Sequence, residues 1–266
     1  MNYKDVNGLT PLMWSIRANY NEITQILIKN GANPDLKDND GNTALVWAIS
    51  EDNTEAMRIL INGGANLDIF FEMRGERGYL KNMTTLLYAI YEDNMEAVRM
   101  LINAGADLDI GIEMRNEEGY FKNYTALILS IMNDDVNLVR MLINAGANPD
   151  IGIEMRNEEG YFKNATGLIC AMINNNIEMI KILINSGANP DIACEIRTED
   201  GYFKNMTALM WFIINDDVNA VRMIINAGAD VNAMAKIDNV DRSVLDVAKD
   251  YGNKTIINML VSAGAE

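Results

Sequence analysis

Apolar residues in this chain recur at helical spacing in pairs of short segments. After Thr43, the residues Leu45, Ala48 and Ile49 share one helix face; a polar break follows, and Ala56, Met57, Ile59, Leu60 and Ile61 make a second, more apolar segment. The pattern predicts a helix pair, and it returns along the whole chain. A Gly-Ala dipeptide stands at Gly31, Gly64, Gly105, Gly146, Gly187, Gly228 and Gly264, at spacings of 33, 41, 41, 41, 41 and 36. Twenty-one residues before each stands a Thr or Ser: Thr10, Thr43, Thr84, Thr125, Thr166, Thr207 and Ser243. A fixed period of this length marks a solenoid or propeller built from one repeated unit. In the polar break, Asn19 with Glu22, Asp52 with Glu55, Asp93 with Glu96 and Asn175 with Glu178 keep the three-residue spacing of a helix N-cap and its reciprocal Glu. The Gly then ends the second helix in a left-handed cap.

Thr10-Pro11-Leu12, Thr43-Ala44-Leu45 with Ala48, Thr207-Ala208-Leu209, and the closing Gly105-Ala106-Asp107 together resemble the ankyrin repeat. The resemblance implies a mainly α repeat solenoid over residues 1–266. Its repeats are expected near 7–39, 40–80, 81–121, 122–162, 163–203, 204–239 and 240–266. One feature departs from the family pattern in every copy. The usual His is replaced by Met13, Val46, Leu87, Ile128, Ile169, Met210 or Asp246. Because that His ties neighbouring repeats together by hydrogen bonds, its loss implies that the repeats are held in register largely by apolar packing.

Four copies carry eight extra residues, and counting places them. Ala32 lies six residues before Asp38 in the first connecting hairpin, but Ala106 lies ten before Asn116; Gly41 lies two before Thr43, but Gly119 six before Thr125. Each arm has gained four residues, an even number that keeps every side chain on its own face and projects the hairpin about 13 Å further. Gly78, Gly119, Gly160 and Gly201 fall where the turn calls for positive φ. The expected pairs are Arg115 with Tyr120, Met114 with Phe121 and Glu113 with Lys122. A repeat pitch of about two strand spacings, implied by the resemblance, would merge four hairpins into one eight-stranded antiparallel sheet. It would stack Glu72, Glu113, Glu154 and Glu195 beside Lys81, Lys122, Lys163 and Lys204, with Phe121, Phe162, Phe203 and Leu80 behind.

Charge narrows the function. With 22 basic against 38 acidic residues the net charge is −16, unsuited to phosphate backbones or anionic lipid, so neither nucleic acid nor membrane is an expected partner. There is no His, hence no imidazole relay or ligand. No apolar run approaches the ~20 residues of a membrane helix, and no signal-peptide pattern opens the chain; a cytoplasmic setting is the expectation. Cys170 and Cys194 read as small buried hydrophobes. The acidic pairs Glu117-Glu118, Glu158-Glu159 and Glu199-Asp200 lack the ligand spacing of a calcium loop and read as solvated turn tips. Asp134-Asp135 and Asp216-Asp217 stand where helices start and read as caps. The sequons at Asn82, Asn123, Asn164 and Asn205 each use the structural Thr of the repeat, so the match is incidental. No cofactor, metal or enzymatic activity is expected.

Four residues after the repeat Thr stand Trp14, Trp47, Tyr88, Leu129, Cys170 and Trp211, a position that in ankyrin-like folds faces the concave groove. The row is either core or a set of interface anchors. The resemblance implies a protein-binding module, with a basic partner favoured by the charge. The candidate contacts are Trp14, Trp47, Tyr88, Leu129 and Trp211 on the helices, Glu117, Glu118, Glu158 and Glu159 at the tips, and Tyr120, Tyr161 and Tyr202 on the hairpins. The alternative is a structural protein self-associating through the hairpin sheet; a monomer is the expectation. The terminal repeats are expected to turn polar faces outward, through Thr24 and Gln25 at one end and Asp246 and Lys249 at the other.

Overall fold

The computed structural model describes residues 2–75, 78–117, 119–158, 160–199 and 201–266. The chain divides into two compact units, Met1–Glu117 and Glu118–Glu266. The first holds helix pairs α1 (Pro11–Arg17) and α2 (Asn21–Lys29), α3 (Ala44–Ser50) and α4 (Thr54–Asn62), and α5 (Thr85–Tyr91) and α6 (Met95–Asn103). Its strands are β1 (Phe71–Gly75), β2 (Gly78–Met83) and β3 (Ile112–Asn116). The second begins with β4 (Gly119–Tyr124), α7 (Ala126–Met132) and α8 (Val136–Asn144), then β5 (Ile153–Asn157), β6 (Gly160–Ala165), α9 (Gly167–Ile173) and α10 (Ile177–Asn185). It continues with β7 (Cys194–Thr198), β8 (Gly201–Met206), α11 (Ala208–Ile214), α12 (Val218–Asn226), β9 (Met234–Ile237), β10 (Val240–Ser243), α13 (Val244–Tyr251) and α14 (Lys254–Ser262).

The side chain of the repeat Thr caps the first helix of a pair everywhere but at Thr166. Thr84, Thr125 and Thr207 accept from the backbone N–H three residues on, at 3.3, 3.3 and 3.4 Å. Helix pairs are closed by the second helix: Leu60, Leu101, Leu142, Leu183, Ile224 and Leu260 are completely buried, one in each repeat after the first, each worth about 2–5 kcal/mol against truncation to Ala. The glycines that follow adopt positive φ, between 80° and 95° from Gly31 to Gly264.

The caps of the second helices lie one residue later than the sequence spacing suggests. Asn53, Asn94 and Asn176 cap α4, α6 and α10 through their side-chain oxygens, and Tyr20 precedes α2 with no side-chain cap. The residues expected as caps, Asn19, Asp52, Asp93 and Asn175, take left-handed backbone at φ 56°, 50°, 56° and 53°. They turn the chain between the helices, a conformation Asn and Asp tolerate best. Likewise Asp134 and Asp216 make the turn while Asp135 and Asp217 cap.

Beside the apolar packing, hydrogen bonds tie neighbouring repeats together. Each capping amide reaches the turn residue of the preceding repeat: Asn53 Nδ2 donates to Asn19 Oδ1 at 3.0 Å, Asn94 to Asp52 at 3.0 Å, Asn176 to Asp134 at 2.6 Å and Asn253 to Asp216 at 2.7 Å. A second ladder runs at the hairpin bases, where Asp35, Asp68, Asp150 and Asp191 accept the backbone N–H of Asn66, Asp107, Asn189 and Asp230 at 2.8–3.0 Å. Side-chain amides and carboxylates thus do what the absent His does elsewhere.

The hairpins merge as expected. In the first unit β1, β2 and β3 pair antiparallel in chain order, and in the second β4 to β10 do the same. Within the β5–β6 hairpin Glu154 meets Lys163, Met155 meets Phe162 and Arg156 meets Tyr161. Across to the next hairpin the same β6 residues meet Glu195, Ile196 and Arg197. The last, shorter pair, β9–β10, joins as well, through a turn at Asp238 and Asn239 with φ 49° and 66°. Here Lys236 replaces the ladder Glu and pairs with Asp241 at 3.1 Å.

Two features differ from the even-numbered ladder. Asn164 and Asn205 are bulge residues: Ile153 pairs with Ala165 beside Glu154 with Lys163, and Cys194 with Met206 beside Glu195 with Lys204. Their left-handed φ of 60° and 58° absorbs the extra residue, so the sequon Asn is structural along with its Thr. Asn164 Nδ2 donates to Ala193 O at 2.9 Å. Thr24 is not on a polar outer face but buried, its hydroxyl 2.8 Å from Ser15 Oγ, while Ile23 and Ile26 of α2 are exposed. Asp246 owes its place to a capping box with Ser243, whose hydrogen bonds hold its carboxyl below the usual range.

Candidate partner-binding surfaces

The row on the first helices is not uniformly open. In the first unit Trp14 is 46% exposed and Trp47 half-buried, but Tyr88 is only 8% exposed. The Phe71 ring stands edge-on to Tyr88, with centroids 5.6 Å apart at 82°, and burial pushes the tyrosine hydroxyl's pKa up. The hairpin that carries Phe71 therefore removes Tyr88 from the candidate contacts. In the second unit Leu129 and Trp211 are half-buried and Cys170 is fully buried. Burial pushes the Cys170 and Cys194 thiols up to about 12, Cys194 adding to the effect on Cys170.

Trp14 and Trp47 are fixed by one local device used twice. Asp5 Oδ1 accepts the N–H of Asn7 and Leu9, and its Oδ2 accepts Trp14 Nε1, all at 2.9 Å. Asp38 repeats this with Asp40 and Asn42 at 2.9 and 2.8 Å and Trp47 Nε1 at 2.8 Å. Desolvation raises the Asp5 pKa, but the hydrogen bonds from Leu9, Trp14 and Asn7, with the Arg17 charge, bring it below the ordinary carboxylate value. The Arg17 guanidinium lies 5.0 Å from the Trp14 ring and 4.9 Å from the Trp47 ring, with Glu51 at 3.9 Å. The result is a rigid acidic-aromatic cluster. Its sequence signal was an Asp nine residues before each Trp, a spacing the pattern of apolar positions does not register.

The long hairpins present a second surface. Leu80 in the first unit, and Phe121, Met155, Phe162 and Ile196 in the second, are buried on one face of their strands. The opposite face carries the charged and tyrosine rows. Arg74 stacks on Tyr79 at 5.2 Å, Arg156 on Tyr161 at 5.4 Å and Arg197 on Tyr202 at 4.6 Å. Tyr161 Oη donates to Glu154 at 3.3 Å, and Arg197 to Glu195 at 2.9 Å. Tyr120, Tyr161 and Tyr202 are half-buried in this row, and Glu117 and Glu158 are exposed at the tips; Glu118 and Glu159 lie outside the described residues.

A depression of about 820 Å³ lies between α10 and α12 and is lined chiefly by Asn, Gly and Ala with Asp191 and Arg222. Among the described residues no group of three or more Cys, Asp or Glu is arranged to hold a metal ion, and no helix is long and apolar enough to cross a membrane.

Comparison with known proteins agrees with this architecture. A family model of ankyrin repeats, three copies long, matches residues 1–71, 37–111, 69–153, 110–194 and 168–266, which together span the chain. No curated protein matches. Among solved structures the chain is similar to the ankyrin repeat domain of Bcl-3, described as a unique member of the IkappaB family, at 22% identity and TM-score 0.59, covering 96% of this chain and 99% of that one. It is also similar to an ankyrin repeat domain from Acinetobacter baumannii AYE, at 25% identity and TM-score 0.53, covering 83% and 98%. The chain belongs to the ankyrin repeat family, whose domains generally mediate protein–protein interaction and are typically non-enzymatic.

Proposed function

We propose that this protein is a non-enzymatic binding module that captures a basic protein partner on its first-helix face, with the Trp14–Arg17–Trp47 cluster as the anchor. One observation carries the reading. Trp14 is 46% exposed, yet its ring is held by Asp5 and stacked by Arg17, so a partner that covers it gains apolar contact without paying to order it. Asp5, Asp38 and Glu51 surround the rings with negative charge, and the net charge of −16 steers encounter with a basic surface. Leu129 and Trp211, half-buried in the second unit, and the exposed tip acids Glu117 and Glu158 are secondary contacts.

The test is capture of partners from the host's own lysate by the parent and by Trp14→Ala, followed by binding kinetics on the captured protein. Trp14→Ala weakens binding by about 2 kcal/mol, chiefly through faster dissociation, at an unchanged melting temperature. Parental affinity in a variant that melts like the parent refutes the anchor. Light scattering separates this reading from self-association through the sheet, because only a self-associating chain gains mass with concentration.

A further inference from the structure

One edge of β1 carries no strand among the described residues. The ladder spells out what such a strand is. Along the described sheets, the edge that faces the preceding hairpin is occupied by the same chemistry each time. Glu113-Met114-Arg115 of β3 pairs with Lys81, Leu80 and Tyr79. Glu154-Met155-Arg156 of β5 pairs with Lys122, Phe121 and Tyr120. Glu195-Ile196-Arg197 of β7 pairs with Lys163, Phe162 and Tyr161. On β1 the same three positions are Glu72-Met73-Arg74, but β1 is the end strand of its sheet and pairs with β2 alone.

The reason is the length of the hairpin before it. The repeat from Gly31 to Gly64 is 33 residues, without the eight-residue extension, so its arm ends at Asp40 and Asn42 while β1 continues past it. Among the described residues no backbone hydrogen bond beyond the β1–β2 ladder reaches 71–75. A depression of about 480 Å³ lies there, lined by Asp40, Asn42, Tyr88 and residues 71–74. Glu72 and Arg74 are exposed and Met73 is half-buried. The contrast with the far edge is plain. β10 has four residues and carries Asp241 and Arg242, Arg242 being paired with Asp250 at 3.4 Å, a short and charged strand of the kind that discourages pairing.

We propose that β1 accepts, by antiparallel strand addition, an extended segment of a partner protein reading aromatic–apolar–basic. The aromatic residue stacks opposite Arg74, the apolar one enters beside Met73, and the base pairs with Glu72.

The probe is a capped peptide with the sequence of β6, Gly-Tyr-Phe-Lys-Asn-Ala, added to the full chain and followed by amide exchange and titration. Bound peptide slows exchange of the amides of 71–75, and a peptide of scrambled order does not. Glu72→Lys, a change at an exposed position, weakens the parental peptide about fivefold or more, and Gly-Tyr-Phe-Glu-Asn-Ala recovers the loss on that variant. Trp14→Ala leaves this binding unchanged, so failure here is separable from failure of the helix-face reading. Absence of protection at 71–75, or an affinity indifferent to the charge swap, overturns the proposal. So does a concentration-dependent dimer that protects 71–75 without peptide, which would assign the edge to a second copy.

Discussion

Replacing Gly160 by Ala separates two reasons for a glycine. Gly160 has φ 145°, and a Cβ built on it would lie 2.1 Å from Arg197 O, 3.1 Å from Arg197 C and 3.2 Å from Thr198 Cγ2. The obstruction is backbone of the next hairpin, which no side-chain rotation relieves. A carbon–oxygen contact needs roughly 3.2 Å, so β6 and β7 must part by about 1 Å at this end, enough to stretch a 2.9 Å hydrogen bond beyond useful range. Losing one or two ladder bonds costs about 1–3 kcal/mol, on top of about 1–3 kcal/mol for an L-residue at that backbone angle. Gly146→Ala is the control: its φ is 95° but a Cβ there meets nothing within 4 Å, so only the angular cost applies. The expected difference between the two variants in urea unfolding is therefore about 1–3 kcal/mol. Because a solenoid couples mainly to nearest neighbours, amide exchange should accelerate in 161–163 and 195–197 while α9 keeps its protection. Equal destabilisation by the two alanines, or acceleration spread evenly over the unit, would refute the argument that the neighbouring carbonyl dictates the glycine.

Asn164→Gly keeps the left-handed bulge but removes the amide bond to Ala193 O, and should cost about 0.5–1.5 kcal/mol in a thermal melt; Asn164→Ala adds backbone strain and should cost more. Asn176→Ala deletes both the α10 cap and the bridge to Asp134 and should cost about 1–2 kcal/mol; Asn176→Asp restores the cap acceptor but sets a like charge beside Asp134, so it should recover only part. Cys170 and Cys194, with thiols raised to about 12 from 9.0 by burial, should resist a thiol reagent at pH 8 at any rate faster than unfolding. Their folded pKa values lie above the unfolded one, so the stability they lend is complete below about pH 9 and drains away between pH 9 and 12. Alkaline melts of Cys170→Ala should be less steep over that window.

Most of the fold was legible because the chain states each element several times. The lengthened arms could be counted from Asp38 and Asn116, and the pairing of Glu154 with Lys163 followed from the turn. What escaped shares a cause. Asp134-Asp135 presents two residues that both suit a cap and both suit left-handed backbone, and only the surrounding chain decides which does what. Asn164 looks like an ordinary strand residue, and its bulge emerges from pairing. Tyr88 and Trp14 occupy equivalent repeat positions, yet one lies under Phe71 and the other is partly exposed, because the hairpin-base residue that meets the ring is Phe71 in one case and Asp5 in the other. The Asp5 and Asp38 devices pair residues nine apart, outside both helical and strand periods, and the open edge at β1 is visible only by comparing it with the occupied ones.

The two sides of a long hairpin are chemically interchangeable. Phe162 meets Met155 of its own hairpin and Ile196 of the next, Lys163 meets Glu154 and Glu195, and Tyr161 meets Arg156 and Arg197. A 41-residue segment excised or duplicated by unequal recombination would therefore rejoin its neighbours through contacts the sheet already makes, and no compensating substitution would be needed at the junction. Copy number in such a gene can drift freely, and selection can act on the length of the protein without first solving a new interface. The near identity of residues 109–123 and 150–164 has the form that such a copying event leaves.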